Sequence, residues 1–359
     1  MLHVSECFGG GVLEVVRELV ERLPDYGIQS AIAYGRRDET PLSLASVFPP
    51  TVPAFELPWE GRSILAQLRA RRALAQVIKH WRPDVIHLHS TFAGVVGALT
   101  GRGNVFTIYT PHGYSFLRTT HSRLGRGGIV FVERRIAARV DAVVGVSEHE
   151  ALLARQTARA GTTFVVPNGI SELDGLVLPP QPAPKGRPLV VAMGRIAPAR
   201  LPSETAAILR SVASMADVLW IGGGSDSRLL AHVDRAGIER TGWVSRDGAL
   251  AKLRLASVFV HWSAWDGLPL AILEAMALDV PVIGRDIPPV RELLAPEQLC
   301  TTVEGASRAI VALLSDPHRR AAALASQEAS RRRYGASEMA ASWAEVYRRT
   351  RSPLGVAQC

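Results

Sequence analysis

Two short apolar runs with a helix start between them constrain this chain more than any other feature. Ser257-Val258-Phe259-Val260-His261-Trp262 and Val280-Pro281-Val282-Ile283 have the length and composition of buried strands. Between them, Pro269 suits a first helical turn, where its missing N–H costs nothing. Leu270, Ala271, Ile272, Leu273, Glu274, Ala275, Met276 and Ala277 then carry the helix forward. Buried strands alternating with helices indicate a parallel sheet in an α/β fold.

The same pattern runs along both halves of the chain. In the first, Leu2-His3-Val4 starts a strand, Gly9-Gly10-Gly11 a loop, and Val12 to about Leu23 a helix. Strands follow at 30–34, 82–90, 105–110 and 141–147, with helices over 64–79 and 129–139. The 64–79 helix sets Ile64, Leu65, Leu68, Leu74, Val77 and Ile78 on one side and Arg69, Arg71 and Arg72 on the other. Ser147 and Glu150 have capping-box spacing. Residues 173–187 are rich in Pro and Gly and form a linker. A second series begins at Leu189-Val190-Val191-Ala192-Met193 and continues through Val218-Leu219-Trp220-Ile221 to the central stretch. The expected organisation is a domain over 1–172, the linker, a domain over 188–335 and a final helix within 336–359.

Ligands of such sheets bind beyond the carboxyl ends of the strands. The loops there hold Gly10 and Gly11, His89 and His112, Gly194, Arg195 and Arg200, Gly223, Val244, and Asp266 to Pro269. Glycines let a phosphate or sugar approach the backbone. The first glycine loop is not the dinucleotide fingerprint, because Glu14 stands where its third glycine belongs. Two guanidinium groups can clamp a diphosphate. The start of the helix at Pro269 is a phosphate site, with Asp266 before it and Glu274 beyond it. Eight helical residues span about 12 Å at most, so a pyrophosphate there has an acid on each side. A nucleotide-sugar has that layout, with hydroxyls flanking two phosphates.

These residues resemble the acid-x7-Glu signature of the family 4 retaining glycosyltransferases. The resemblance implies a GT-B fold, two Rossmann-like domains facing across a cleft. In that family the second acid binds the ribose, here Glu274, and the first acid and its neighbours hold the donor sugar, here Asp266, Gly267 and Leu268. The first acid is usually Glu, so Asp266 is one methylene shorter. Gly194-Arg195 matches the family's Gly-Arg, and Arg200 stands where it usually has Lys. Gly242-Trp243-Val244-Ser245 matches the segment whose backbone lies against the nucleobase. Pro167-Asn168-Gly169-Ile170 matches a Pro-Asn-Gly segment, with Ser171 where an acid often follows. The family often has a His at the position of His112, close to donor sugar and acceptor. His87 is assigned to the other side of its strand from His89 and to a structural role. The last helix of the fold crosses back to the first domain. The implied reaction transfers a hexose from a nucleotide-sugar, UDP- in preference to GDP-linked, with retention at the anomeric carbon.

Composition narrows the partners. At 359 residues and 47% apolar, the chain can fill two cores. Cys7, Cys300 and Cys359 fit neither a disulfide framework nor a metal site, which suggests a reducing cytoplasm. The sequence shows no signal peptide and no transmembrane run. No Asp-x-Asp triplet or His cluster is evident, so no metal or other cofactor is expected. Residues 61–139 hold thirteen Lys and Arg against two acids, a net of +11 within an overall +8. Such a field suits anionic lipid and a lipid-linked saccharide acceptor at the inner membrane face, as in surface polysaccharide assembly. Nucleic acid is disfavoured by the lack of interleaved aromatics. The 113–128 segment reads as a mobile acceptor loop with exposed aromatics. A natural-product acceptor, a sugar-nucleotide 2-epimerase of the same fold and a non-catalytic binding module are the other readings.

Overall fold

The computed structural model describes residues 1–6, 9–36, 40, 44, 47–61, 63–101, 103–171 and 186–349. The linker at 173–185, Cys7, Cys359 and the end of the chain beyond 349 lie outside the described residues.

Seven parallel strands form one sheet: β1 (Leu2–Ser5), β2 (Ala31–Tyr34), β3 (Ala54–Glu56), β4 (Val85–His89), β5 (Phe106–Thr110), β6 (Ala142–Gly145) and β7 (Thr163–Val165). Their order is β3-β2-β1-β4-β5-β6-β7. Six more form a second parallel sheet: β8 (Leu189–Met193), β9 (Asp217–Ile221), β10 (Glu239–Arg240), β11 (Val258–His261), β12 (Val282–Arg285) and β13 (Leu299–Cys300). Their order is β10-β9-β8-β11-β12-β13. The strands are short and apolar because helices cover both faces, leaving no wet side to alternate toward. In each sheet the order reverses once, at β1/β4 and at β8/β11, which opens a crevice at the carboxyl edge.

The described residues divide into two compact units. One comprises 1–117, 121–171 and 336–349, the other 118–120 and 186–335. The helix Ala336–Arg349 belongs to the first unit. Its first amide donates to Ile170 O at 3.1 Å, and its Trp343 ring lies 4.4 Å from that of His87.

Several elements depart from the sequence expectation. In the helix Ile64–Trp81 the buried residues are Ala66, Ala70, Leu74 and Ile78, one per turn. Ile64, Leu65 and Leu68 are 79%, 65% and 41% exposed, because apolar residues off that single row fall on the flank. The stretch expected as a loop to residue 128 is already helical from Arg123, where Ser122 accepts the Gly125 N–H at 3.2 Å. That cap overrides the glycine content of the first turn. Tyr114 and Phe116, expected to be exposed, are buried and stacked with centroids 4.7 Å apart. Pro288 and Pro289, assigned to no element from the sequence, open the short helix Pro288–Arg291, where proline needs no N–H partner. Helices at Ser90–Leu99, Pro202–Val212 and Ser227–Arg235, and strand β3, were not anticipated.

Under the first sheet, Glu133 is fully buried and accepts hydrogen bonds from Thr91 Oγ1 at 2.7 Å and Tyr109 OH at 2.9 Å. Burial outweighs those bonds and pushes its carboxyl up to about 7. The folded chain therefore binds this proton more tightly than the unfolded one, whose Glu titrates near 4.3. Stability from this group is present at low pH and is lost as pH rises toward 7, by at most about 1.4 kcal/mol per pH unit. Glu133→Gln should therefore be more stable than the parent near pH 8, and the advantage should vanish toward pH 4. Urea midpoints across that range check both statements.

Candidate active site

In the second unit the expected donor residues gather at the carboxyl edge around β8, β9 and β11. Gly194 follows β8 with φ +124, and a Cβ there would lie 3.1 Å from Arg200 Nε. The glycine thus lets the Arg200 side chain cross the strand end. Arg195 is exposed at the same edge. Gly223 follows β9, and a Cβ on it would meet the Trp243 amide at 3.1 Å. Its neighbour Val244 is 38% exposed and Trp243 59% exposed. Gly223 and the 242–245 segment therefore line one shelf.

The turn after β11 carries the densest polar network. Arg200 Nη1 donates to Asp266 Oδ2 at 2.6 Å and to Ser263 Oγ at 2.5 Å. His261 Nε2 lies 3.2 Å from Asp266 Oδ2 and 3.1 Å from Ser263 Oγ. Asp266 Oδ1 accepts the Gly267 N–H at 3.1 Å. Burial alone would raise the Asp266 carboxyl. The Arg200 charge and the His261 hydrogen bond reverse this and hold it below the usual carboxylate range. His261 is itself pushed down by burial, partly offset by Asp266. A carboxylate accepts at about four positions, and these bonds occupy three. Oδ1 keeps room for one more donor. Arg200 has five N–H groups, and those on Nε and Nη2 make no hydrogen bond among the described residues.

Leu268 and Pro269 are buried at the start of the helix Leu270–Ala277. Pro269 is the N-cap and not the first helical residue, and its carbonyl accepts the Ile272 N–H at 3.1 Å. Glu274 is 8% exposed and pairs with Arg246 Nη2 at 3.3 Å. Arg246 opens the helix Arg246–Leu253, capped by Ser245. This arginine was assigned no role from the sequence. The Ser245-x-x-Gly248 cap was the available signal.

In the first unit Gly10 and Gly11 are exposed and form the first turn of the helix Gly10–Arg22, not a loop before it. Gly10 has φ +56, which explains glycine there without any steric crowding. His112 follows β5 in a left-handed conformation, φ +53, rare for a side chain of this size and typical of functional turns. Its loop is anchored by Glu150, which accepts the Gly113 N–H at 2.5 Å and the Val146 N–H at 2.9 Å. Glu150 was read as a capping-box acid. Ser147 does accept its amide, at 3.1 Å, and the carboxylate also holds the His112 turn. Ser171, where the family often has an acid, donates to buried Glu18 at 2.6 Å.

His87 shares a face with His89, since residues two apart in a strand point the same way. Register pairs His3 with His87, so the strands assemble a histidine cluster that the linear sequence hid. Nitrogens of His3, His87 and His89 lie within 4.8 Å of one another.

A model of "Glycosyltransferase Family 4" matches residues 9–172, and one of "Glycosyl transferases group 1" matches 187–316. The chain is a glycosyltransferase whose two halves match a family 4 and a group 1 domain. An uncharacterized 41.2 kDa protein in the cps region of Klebsiella pneumoniae is 24% identical, over 82% of this chain and 83% of that protein. Sucrose-phosphate synthase from Thermosynechococcus elongatus superposes with TM-score 0.78 at 20% identity, over 97% of this chain and 98% of that one. HepE of Anabaena, solved with UDP-glucose, superposes with TM-score 0.75 at 16% identity, over 96% and 98%. The fold of this glycosyltransferase is therefore GT-B.

The Arg200–Asp266 contact should couple energetically. A double-mutant cycle with Arg200→Ala and Asp266→Ala is expected to give about 0.5–3 kcal/mol, as for contacting partly buried charges. Chemical denaturation of the four proteins measures it. The coupling should be present at neutral pH and be lost as pH falls through the depressed carboxyl value.

Proposed function

We propose that this glycosyltransferase moves a hexose from a UDP-sugar to a lipid-linked saccharide, with retention at the anomeric carbon, in surface polysaccharide or glycolipid synthesis. The observation that carries the donor half is the pair of acids, Asp266 and Glu274, on either side of the Leu270 helix start, each braced by an arginine. The diphosphate lies at that helix start. Arg195 and the unengaged N–H groups of Arg200 face its charge. Asp266, its Oδ1 held by the Gly267 amide, takes the sugar hydroxyls through the acceptor position left on that oxygen, with Leu268 beside it. Glu274 takes the ribose, and Gly223 with Val244 the base. HepE was solved with UDP-glucose, which supports UDP as the carrier.

No side chain needs to attack the sugar. As the anomeric C–O bond to phosphate breaks, the acceptor oxygen bonds the same face of the carbon. The acceptor proton passes to the leaving phosphate oxygen. The protein supplies charge stabilisation and positioning. His112 is assigned to the transferring sugar by its place after β5, and Gly10 and Gly11 offer backbone amides. No step calls for a metal.

The acceptor half rests on surface character. Among the described residues no helix is long and apolar enough to cross a membrane. The helix Ile64–Trp81 exposes Ile64, Leu65 and Leu68 beside exposed Arg69, Arg71, Arg72 and Lys79. Leu124 and Phe131 are 90% and 64% exposed on the basic helix Arg123–Ala137. Apolar side chains among cations suit the headgroup region of an anionic leaflet. This favours a peripheral enzyme at the cytoplasmic membrane face over one acting on a free small molecule.

Two measurements test the halves separately. Incubated with UDP- and GDP-sugars and membrane lipid extract, the protein should release nucleotide and label lipid only when both substrates are present. Arg195→Ala should lower kcat about 100-fold, as for loss of one charge-stabilising donor. Glu274→Ala should chiefly raise KM for the donor, as for loss of uniform binding. Isomerised sugar without acceptor would mean an epimerase, and binding without turnover a non-catalytic module. Separately, anionic vesicles should retain the protein at low salt and release it at high salt. Arg69→Glu with Arg72→Glu should weaken retention by about 1 kcal/mol or more per charge.

A further inference from the structure

The first unit contains a row of imidazoles of which the donor and acceptor assignments use only His112. His3 Nδ1 lies 3.0 Å from His89 Nε2, and His89 Nδ1 lies 2.9 Å from His112 Nε2. Successive rings are stacked, 5.3 Å and 27° for the first pair, 5.2 Å and 22° for the second. His3 and His89 are 0% exposed, and His112 is half-buried at the strand edge. Burial lowers His3 to about 3 and His112 to about 4, and holds His89 well below its ordinary range. All three rings are therefore neutral at physiological pH.

A neutral imidazole has one N–H and one bare nitrogen, so the direction of one bond in a row dictates the next. Only two arrangements exist here. His3 Nε2 is buried and has no hydrogen-bond partner among the described residues. In one arrangement it is a bare acceptor. In the other it is an N–H with nothing to donate to, and orphaned buried donors are the rarer defect. The favoured row therefore runs from His3 Nδ1–H to His89 Nε2, and from His89 Nδ1–H to His112 Nε2. The proton of His112 then sits on Nδ1, the nitrogen that makes no hydrogen bond among the described residues.

We propose that His89 and His3 are positioning residues that lock His112 as its Nδ1–H tautomer, so that it meets the sugar substrate as a hydrogen-bond donor and not as a base. This rests on the assignment of His112 to the transferring sugar. The backbone is consistent with a rigid presentation, since Glu150 pins the next amide, Gly113, at 2.5 Å. A metal held by His3, His87 and His89 is the competing use of these nitrogens. Both nitrogens of His87 are already engaged by Tyr347 and Thr110, each at 2.9 Å, and both of His89 by its neighbours in the row. The hydrogen-bonded row accounts for the cluster without an ion.

Nitrogen-15 NMR of the full-length protein with labelled histidine reads the tautomer directly, and His112→Asn identifies the His112 signals. The expected result is a protonated Nδ1 and a bare Nε2 on His112. His89→Phe should abolish that preference and lower kcat about tenfold with less change in KM, the scale seen when an outer partner of a functional histidine is lost. His89→Asn, whose amide can donate from nearly the same place, should keep more activity than His89→Phe. A proton on His112 Nε2 overturns the row, and so does a tautomer unmoved in a folded His89→Phe. If the tautomer is as expected but His112→Asn turns over normally, the row stands as a structural feature, while its link to the sugar and the assignment beneath it both fall.

Discussion

Parallel pairing is the constraint on which the rest of this structure depends. A parallel strand can be joined to its neighbour only by a crossover, so every strand within each sheet ends along the same edge. Where the order reverses, at β1/β4 and β8/β11, the crossovers leave on opposite faces and the edge opens. The candidate residues of each unit lie along that edge. Gly10 and Gly11 follow β1, and Gly194 to Arg200 follow β8. The Asp266 turn follows β11, and Gly223 follows β9. Residues remote in sequence become neighbours because they share a position at a strand end.

The two units handle buried polarity differently. In the second, each acid assigned to the donor is paired with an arginine, Asp266 with Arg200 and Glu274 with Arg246. For Asp266, burial alone would raise the carboxyl toward its protonated form. The arginine keeps it ionised and fixes its direction, so that little reorganisation remains when a ligand's hydroxyls arrive. In the first unit the imidazoles of the row hydrogen-bond one another, and burial keeps them neutral. Neutral rings at such spacing can only pass hydrogen bonds along, which suits orienting a group better than stabilising charge.

Much of this was legible in the chain. The apolar runs, the proline at 269 and the spacing of Asp266 and Glu274 carry local information, because strand burial and helix initiation depend on nearest neighbours. Gly194-Arg195 and Gly223 were legible for the same reason, each being a strand end followed by a turn. Elements with weaker local signals were missed. The helix Pro202–Val212 begins after a left-handed Leu201, φ +42, which no composition rule anticipates. The 123–128 turn was hidden by its glycines, although Ser122 caps it.

The residues that brace the site were not legible, and the reason is register. His3 meets His87 because β1 lies beside β4 with that alignment, eighty-four positions apart in the chain. Arg246 meets Glu274, and Glu150 meets Gly113, through packing between elements whose own sequences carry no mark of it. The sequence alone determined that strands and helices alternate, where the two series divide and which loops hold chemistry, since periodicity and turn residues act over a few positions. Only the tertiary structure decided which arginine holds which acid and how the histidines line up. Those contacts follow from strand order and register, which the whole core selects together.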